Sequence, residues 1–145
     1  MLRAISYALL CLALLISFTP INYVSAPLRP YHLEILKLTR GYCSSDQFFN
    51  PSQQLIYFNR LKGQEIGVCI VRAHSFTVQI DPIYWLTSDE NAKWELMYHE
   101  LAHCFLLKNH VDNPENYLYP YAVGLNKEEV TKQFIEDLKE HCHGK

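Results

Sequence analysis

The stretch from His99 to His110, "HELAHCFLLKNH", constrains this chain more than any other. His99 and His103 stand four apart in the form H-E-x-x-H. On an α-helix four residues advance about 6 Å and nearly a full turn, so both imidazoles leave one face and can share one metal ion. Zinc accepts imidazole nitrogen at roughly 2.0–2.1 Å and favours a tetrahedral shell with one position kept for water. Glu100, beside the first histidine, then overhangs that water. It is placed to take a proton and later to pass it to a leaving amine. The fold must therefore provide a helix through residue 103, an open face over it, and a further donor. Two surface histidines on an ordinary helix are the plain alternative.

The further donor is a question of spacing. In the extended pattern H-E-x-x-H-x-x-G-x-x-H, a glycine breaks the helix before the last histidine. Here Leu106 holds the glycine position, Asn109 the ligand position, and His110 arrives one residue late. Were the helix to continue, His110 would return to nearly the same face but about 10 Å further along the axis, beyond reach of a shared ion. His110 becomes a ligand only if the chain swings back, and Asn109 is the residue suited to the left-handed turn this needs. His99, His103 and His110 are thus the expected zinc ligands. The alternative takes the third ligand from Glu128 or Glu129, on a predicted later helix.

Residues 1–26 have the pattern of a secretory leader: a basic start at Arg3, an apolar run from Ala4 to Phe18 containing Cys11, a break at Pro20, and small residues at Val24-Ser25-Ala26. An uncleaved N-terminal anchor is the competing reading, although the run is short for a membrane span of about 20 residues. The expected organisation is a signal peptide, 1–26, and a single domain, 27–145. Its location is secreted or periplasmic. Cleavage removes one of the 13 basic residues and none of the 15 acids, taking the formal net charge from −2 to −3. That balance leaves no electrostatic footprint for nucleic acid. Cys43, Cys69, Cys104 and Cys142 remain. An even count in an exported small domain reads as two disulfides, with buried free thiols as the alternative; no C-x-x-C pair suggests a cysteine-zinc site.

Along the domain, Tyr31–Arg40 is a predicted helix stopped at Gly41. Residues 43–54 are loop-like, and Leu55–Phe58 is a short strand. Lys62-Gly63-Gln64 is a turn and Ile66–Val71 a second strand. Ser75–Ile80 alternates, with Phe76, Val78 and Ile80 on one side, as a strand with one exposed face does. Thr87 and Glu90 form a capping box ahead of the long helix that carries the motif. "ENYLYPYAVG" is a loop, and Asn126 caps a last helix to about His141, with "HCHGK" a frayed tail. The order helix, strands, active-site helix, loop, helix implies an α+β domain with a small antiparallel or mixed sheet.

The stretch resembles the metzincin clan of zinc peptidases. It is most similar to small exported bacterial members whose motif begins H-E-L-G-H-C and sets six residues before the third histidine. "IGVC" (66–69) looks like the family's strand before the edge strand, and "TVQIDPIYW" (77–85) like its edge strand and the turn into the active-site helix. "NYLYPY" (116–121) is similar to the methionine turn beneath the metal. Ala102 stands in place of the family's glycine. Leu118 stands in place of the methionine, a packing floor that leucine can match by shape. The resemblance implies a metzincin-like zincin fold, a Zn²⁺-dependent endopeptidase with Glu100 as general base, and Tyr119 or Tyr121 as an oxyanion stabiliser. It also implies a Cys69–Cys104 pair, from which Cys43–Cys142 follows. The expected partner is a peptide or protein substrate added along the sheet edge. Neither nucleic acid nor stable membrane insertion after leader removal is expected, and the chain is expected to be a monomer. A zinc-containing module that binds peptide without cutting it is the non-enzymatic alternative.

Overall fold

The computed structural model describes residues 22–144. The apolar run Ala4–Phe18 and Cys11 lie outside them. The chain forms β1 (Asn22–Val24), a 3-10 turn (Ala26–Leu28), α1 (Arg29–Tyr42), β2 (Gln53–Phe58), β3 (Gly67–Arg72), β4 (Ser75–Ile80), α2 (Pro82–Thr87), α3 (Glu90–Phe105) and α4 (Lys127–His143). This is an α+β architecture with a small mixed sheet.

The strand order is β1-β2-β4-β3. β1 and β4 run parallel to β2, whereas β3 returns antiparallel to β4 with Cys69 opposite Val78. Phe76, Val78 and Ile80 are fully buried, so the alternation of β4 is that of a strand with one face on the core. The resemblance expects Thr77–Ile80 at the sheet edge. They lie instead in an interior strand, because β4 offers one side to β2 and the other to β3. The edge beside the motif helix is β3.

β1 lies upstream of Ala26, within the stretch read as leader. Asn22 Oδ1 accepts from the Gln54 amide at 3.1 Å, and the Ser25 amide donates to the Ile56 carbonyl at 2.8 Å. A chain cut after Ala26 would lack this strand.

Three local expectations differ from the structure. Gly41 does not stop α1, which runs on to Tyr42 and is capped by Cys43, whose amide donates to the Thr39 carbonyl at 2.9 Å. A glycine inside a helix costs about 1 kcal/mol, which the packing of Ile35, Leu36 and Thr39 overrides. Thr87 does not cap α3, because residues 82–87 are themselves helical and its hydroxyl turns back to the Ile83 carbonyl at 2.8 Å. Asp89 caps α3 instead, accepting from the Ala92 amide at 2.9 Å. Residues 141–143 of the expected tail are helical: α4 runs to His143, and His141 Nε2 donates to the Gln47 carbonyl at 2.7 Å. Asn126 and Glu129 close a reciprocal capping box at the start of α4.

α3 is the central element. It packs on β3 and β4 and against α1 and α4. Leu101, Ala102, Cys104 and Phe105 are wholly buried in it. Two disulfides pin this arrangement. Cys43–Cys142 joins the ends of α1 and α4, with Cα atoms 5.5 Å apart, and Cys69–Cys104 joins β3 to α3 at 5.8 Å. They close loops of 99 and 35 residues. Loops of that size correspond to about 5 and about 4 kcal/mol of chain entropy removed from the unfolded state.

Candidate metal centre

His99 and His103 project from one side of α3 one turn apart, and the chain beyond the helix brings His110 back to them. The reversal is made at Leu107, whose φ of 53° is left-handed, and not at Asn109. The helix ends earlier than the spacing suggests, with Leu106 as its last capping residue, so the turn must come directly after it. The Lys108 amide reaches back to the Ala102 carbonyl at 3.5 Å, and the Val111 amide donates to the Leu118 carbonyl at 3.1 Å. His110 is held between these two ties.

The ring nitrogens converge. His99 Nε2 lies 3.0 Å from His103 Nε2 and 3.1 Å from His110 Nε2. On the opposite edges, His99 Nδ1 faces the Tyr117 carbonyl at 2.7 Å and His103 Nδ1 faces the Lys108 carbonyl at 2.6 Å. A carbonyl only accepts, so both Nδ1 atoms carry the hydrogen. Burial holds the His99 pKa down at about 4, with the neighbouring His103 and His110 acting in the same direction and the Tyr117 carbonyl against it. Burial also lowers His103. Both rings are therefore neutral at neutral pH, and each turns an Nε2 lone pair toward the other. Two lone pairs 3.0 Å apart repel unless a cation lies between them. Three imidazoles around a tetrahedral zinc would place their nitrogens about 3.3 Å apart, close to the spacing here. The donor set fits that ion. Among the described residues these three histidines are the group able to hold a metal ion.

No family model, curated protein or solved structure matches this chain.

Glu100 points from α3 toward β3 and is buried. β3 can lie this close because residue 67 is glycine: a Cβ there would collide with the Glu100 carboxylate and come within 2.8 Å of Leu96 Cδ1. Burial raises the Glu100 pKa to about 8, the Cys69 amide lowers it in part, and the charge of Glu65 adds to the rise. A divalent cation beside the group favours its ionised form.

The histidines and Glu100 line a cleft of about 730 Å³. One wall is Gln64–Cys69 of the β3 side; the other includes Tyr119, Pro120 and Tyr121. Tyr119 and Tyr121 pack edge to face at 5.7 Å, and Tyr121 is exposed. Leu118 is buried in the core. Glu128 and Glu129 sit in the first turn of α4, where Glu129 accepts from the Asn126 amide at 3.3 Å. Neither joins the histidines.

Four supporting residues escape the sequence reading. Glu95, one turn before His99, accepts from the amides of Val123, Gly124 and Leu125 at 3.0, 3.0 and 3.1 Å, securing the far end of the tyrosine wall. An acid amid the apolar residues of α3 is a legible hint of such a role, since a buried carboxylate needs donors. Lys108, Tyr117 and Asp137 carry no such hint. Tyr117 donates to Asp137 Oδ2 at 2.6 Å and Lys108 Nζ to Asp137 Oδ1 at 3.0 Å. Burial and the Asp137 charge push the Tyr117 phenol well above its ordinary pKa, which keeps it a donor.

Proposed function

We propose that this chain is an exported zinc-dependent endopeptidase of metzincin-like type. The observation that carries the proposal is the convergence of three imidazole nitrogens at one end of a cleft that also contains a buried carboxylate. His99, His103 and His110 would hold the ion. When bound, zinc supplies Lewis acidity toward a peptide carbonyl and toward the attacking water. Glu100 takes the water's proton and returns it to the leaving nitrogen. Burial strengthens this role, because a desolvated carboxylate is the stronger base. The tyrosines of the opposite wall, Tyr119 and Tyr121, are the residues available to stabilise the developing oxyanion.

The substrate is a peptide in extended form. Among the described residues β3 is an edge strand along the cleft, and its outer side suits addition of one more strand. Export is supported by the two disulfides, which persist in oxidising compartments.

The test pairs metal analysis with digestion of a broad peptide library. One zinc per chain is expected, lost in His110→Ala and kept in Glu129→Ala; the reverse pattern assigns the third ligand to Glu129. Glu100→Gln should keep zinc and lower cleavage at least about a hundredfold. Equal cleavage by wild type and Glu100→Gln would remove Glu100 from the chemistry. A zinc-loaded wild type that binds peptides without cutting them would make the chain a binding module.

A further inference from the structure

The two motif histidines are oriented by backbone carbonyls that belong to different loops. His99 Nδ1 is held by Tyr117, in the loop before α4, and His103 Nδ1 by Lys108, in the loop after α3. Nothing in the sequence links these two residues. Their side chains nevertheless meet on one carboxylate. Asp137 on α4 accepts the Tyr117 hydroxyl with Oδ2 at 2.6 Å and the Lys108 ammonium with Oδ1 at 3.0 Å. Tyr117 is 1% exposed, so its hydroxyl has no water to turn to. One turn earlier on α4, Gln133 Oε1 accepts from the Tyr117 amide at 3.0 Å, which steadies the same loop. The carboxylate of Glu140, one turn later, accepts from Lys108 at 3.1 Å and from neither Tyr117 nor a histidine.

We infer that Asp137 is a positioning residue for the metal centre, fixing the orientation of both motif histidines through Tyr117 on one oxygen and Lys108 on the other. It touches neither ring. It holds the two carbonyls that keep the hydrogen on Nδ1, and thereby turns both Nε2 lone pairs inward. Partners that set ligand orientation from behind typically account for 10- to 100-fold in metal affinity. Asp137 acts one residue further back, so the lower end applies.

The inference rests on the proposed zinc site, and the experiment separates the two. Zinc affinity is measured by chelator competition for wild type, Asp137→Ala, Asp137→Asn and Glu140→Gln. In parallel, imidazole tautomers in the metal-free proteins are read by long-range ¹H–¹⁵N correlation. Asp137→Ala should bind zinc about tenfold more weakly and populate the Nε2–H tautomer at both His99 and His103. Glu140→Gln, which leaves both Asp137 bonds intact, should stay within about twofold. Tyr117→Phe combined with Asp137→Ala should lose less than the sum of the single losses, as expected of groups acting through one contact. If Asp137→Ala does not fold, Asp137→Asn serves, since it can still accept from Tyr117 while giving up the charge that holds Lys108. It should then disturb His103 and spare His99. A folded Asp137 variant with unchanged affinity and unchanged tautomers overturns the inference. If wild type takes up no zinc, the metal reading fails, and the tautomers alone decide the role of Asp137.

Discussion

Substituting Gly67 by alanine tests whether β3 sets the position of Glu100. The new Cβ would lie 2.8 Å from both the Glu100 carboxyl carbon and Leu96 Cδ1. Carbon contacts settle at about 3.5–4.0 Å, so something must move by about 1 Å. Leu96 Cδ1 ends a flexible side chain and can yield. The Glu100 carboxylate is enclosed on its own helix and has little room. β3, as an edge strand, could shift outward, but the Cys69–Cys104 bridge ties it to α3 two residues from Gly67. Overpacking of this kind costs about 1–3 kcal/mol. A 1 Å displacement of a catalytic group costs about a hundredfold in rate. Gly67→Ala is therefore expected to lose about 1–3 kcal/mol of unfolding free energy, to match wild type in zinc content, and, on the proposed function, to cut peptides about a hundredfold more slowly. The measurements are urea unfolding, metal content and single-turnover cleavage. Wild-type stability together with wild-type cleavage would refute the idea that close approach of β3 positions Glu100.

Leu107→Gly should stabilise the protein by about 0.5–1 kcal/mol: relief of a left-handed non-glycine residue is worth about 1–2 kcal/mol, offset in part by the greater freedom of glycine in the unfolded chain. Asn109→Ala should change stability by less than about 0.5 kcal/mol, and a larger loss there than gain at 107 would return the turn to Asn109. The metal-free protein should lose stability as pH rises from about 6.5 to about 8. In that window folded Glu100, with its pKa raised to about 8, retains a proton that the unfolded chain has released. His99 contributes in the opposite sense, but only between about 4 and 6.5, where the unfolded chain binds the extra proton. Unfolding midpoints across this range should slope for wild type and be flat for Glu100→Gln. A chain beginning at Pro27 should be less stable than one beginning at Asn22 by about 1–3 kcal/mol, because β2 loses the partners Asn22 and Ser25; equal midpoints would make β1 dispensable.

Much of the architecture was legible in advance because it follows from local rules. The period of two in Ser75–Ile80, the Asn126 cap and the long helix through the histidine motif each depend on residues within a few positions of one another. The local readings failed where another contact competed, distant in one case and one turn away in the other. Gly41 has a helix stop's composition but lies in a helix that tertiary packing continues. Thr87 has a cap's composition, but a short helix before it claims its hydroxyl.

The same division runs through the site. Four-residue spacing on a helix by itself determined that His99 and His103 share a face and that Glu100 stands beside them. It also determined that a third histidine in reach requires a reversal of the chain. Only the tertiary structure decided where the reversal falls, since the helix ends when packing ends it, and Leu107 is the residue then left at the turn. Only the tertiary structure brought Gly67 over Glu100, the 123–125 amides onto Glu95, and Lys108 and Tyr117 onto Asp137. Those contacts join segments 20 to 33 residues apart. A hydrogen bond at such separations leaves no periodic mark on the chain, because its partners are set by how helices and strands stack and not by the order of their residues.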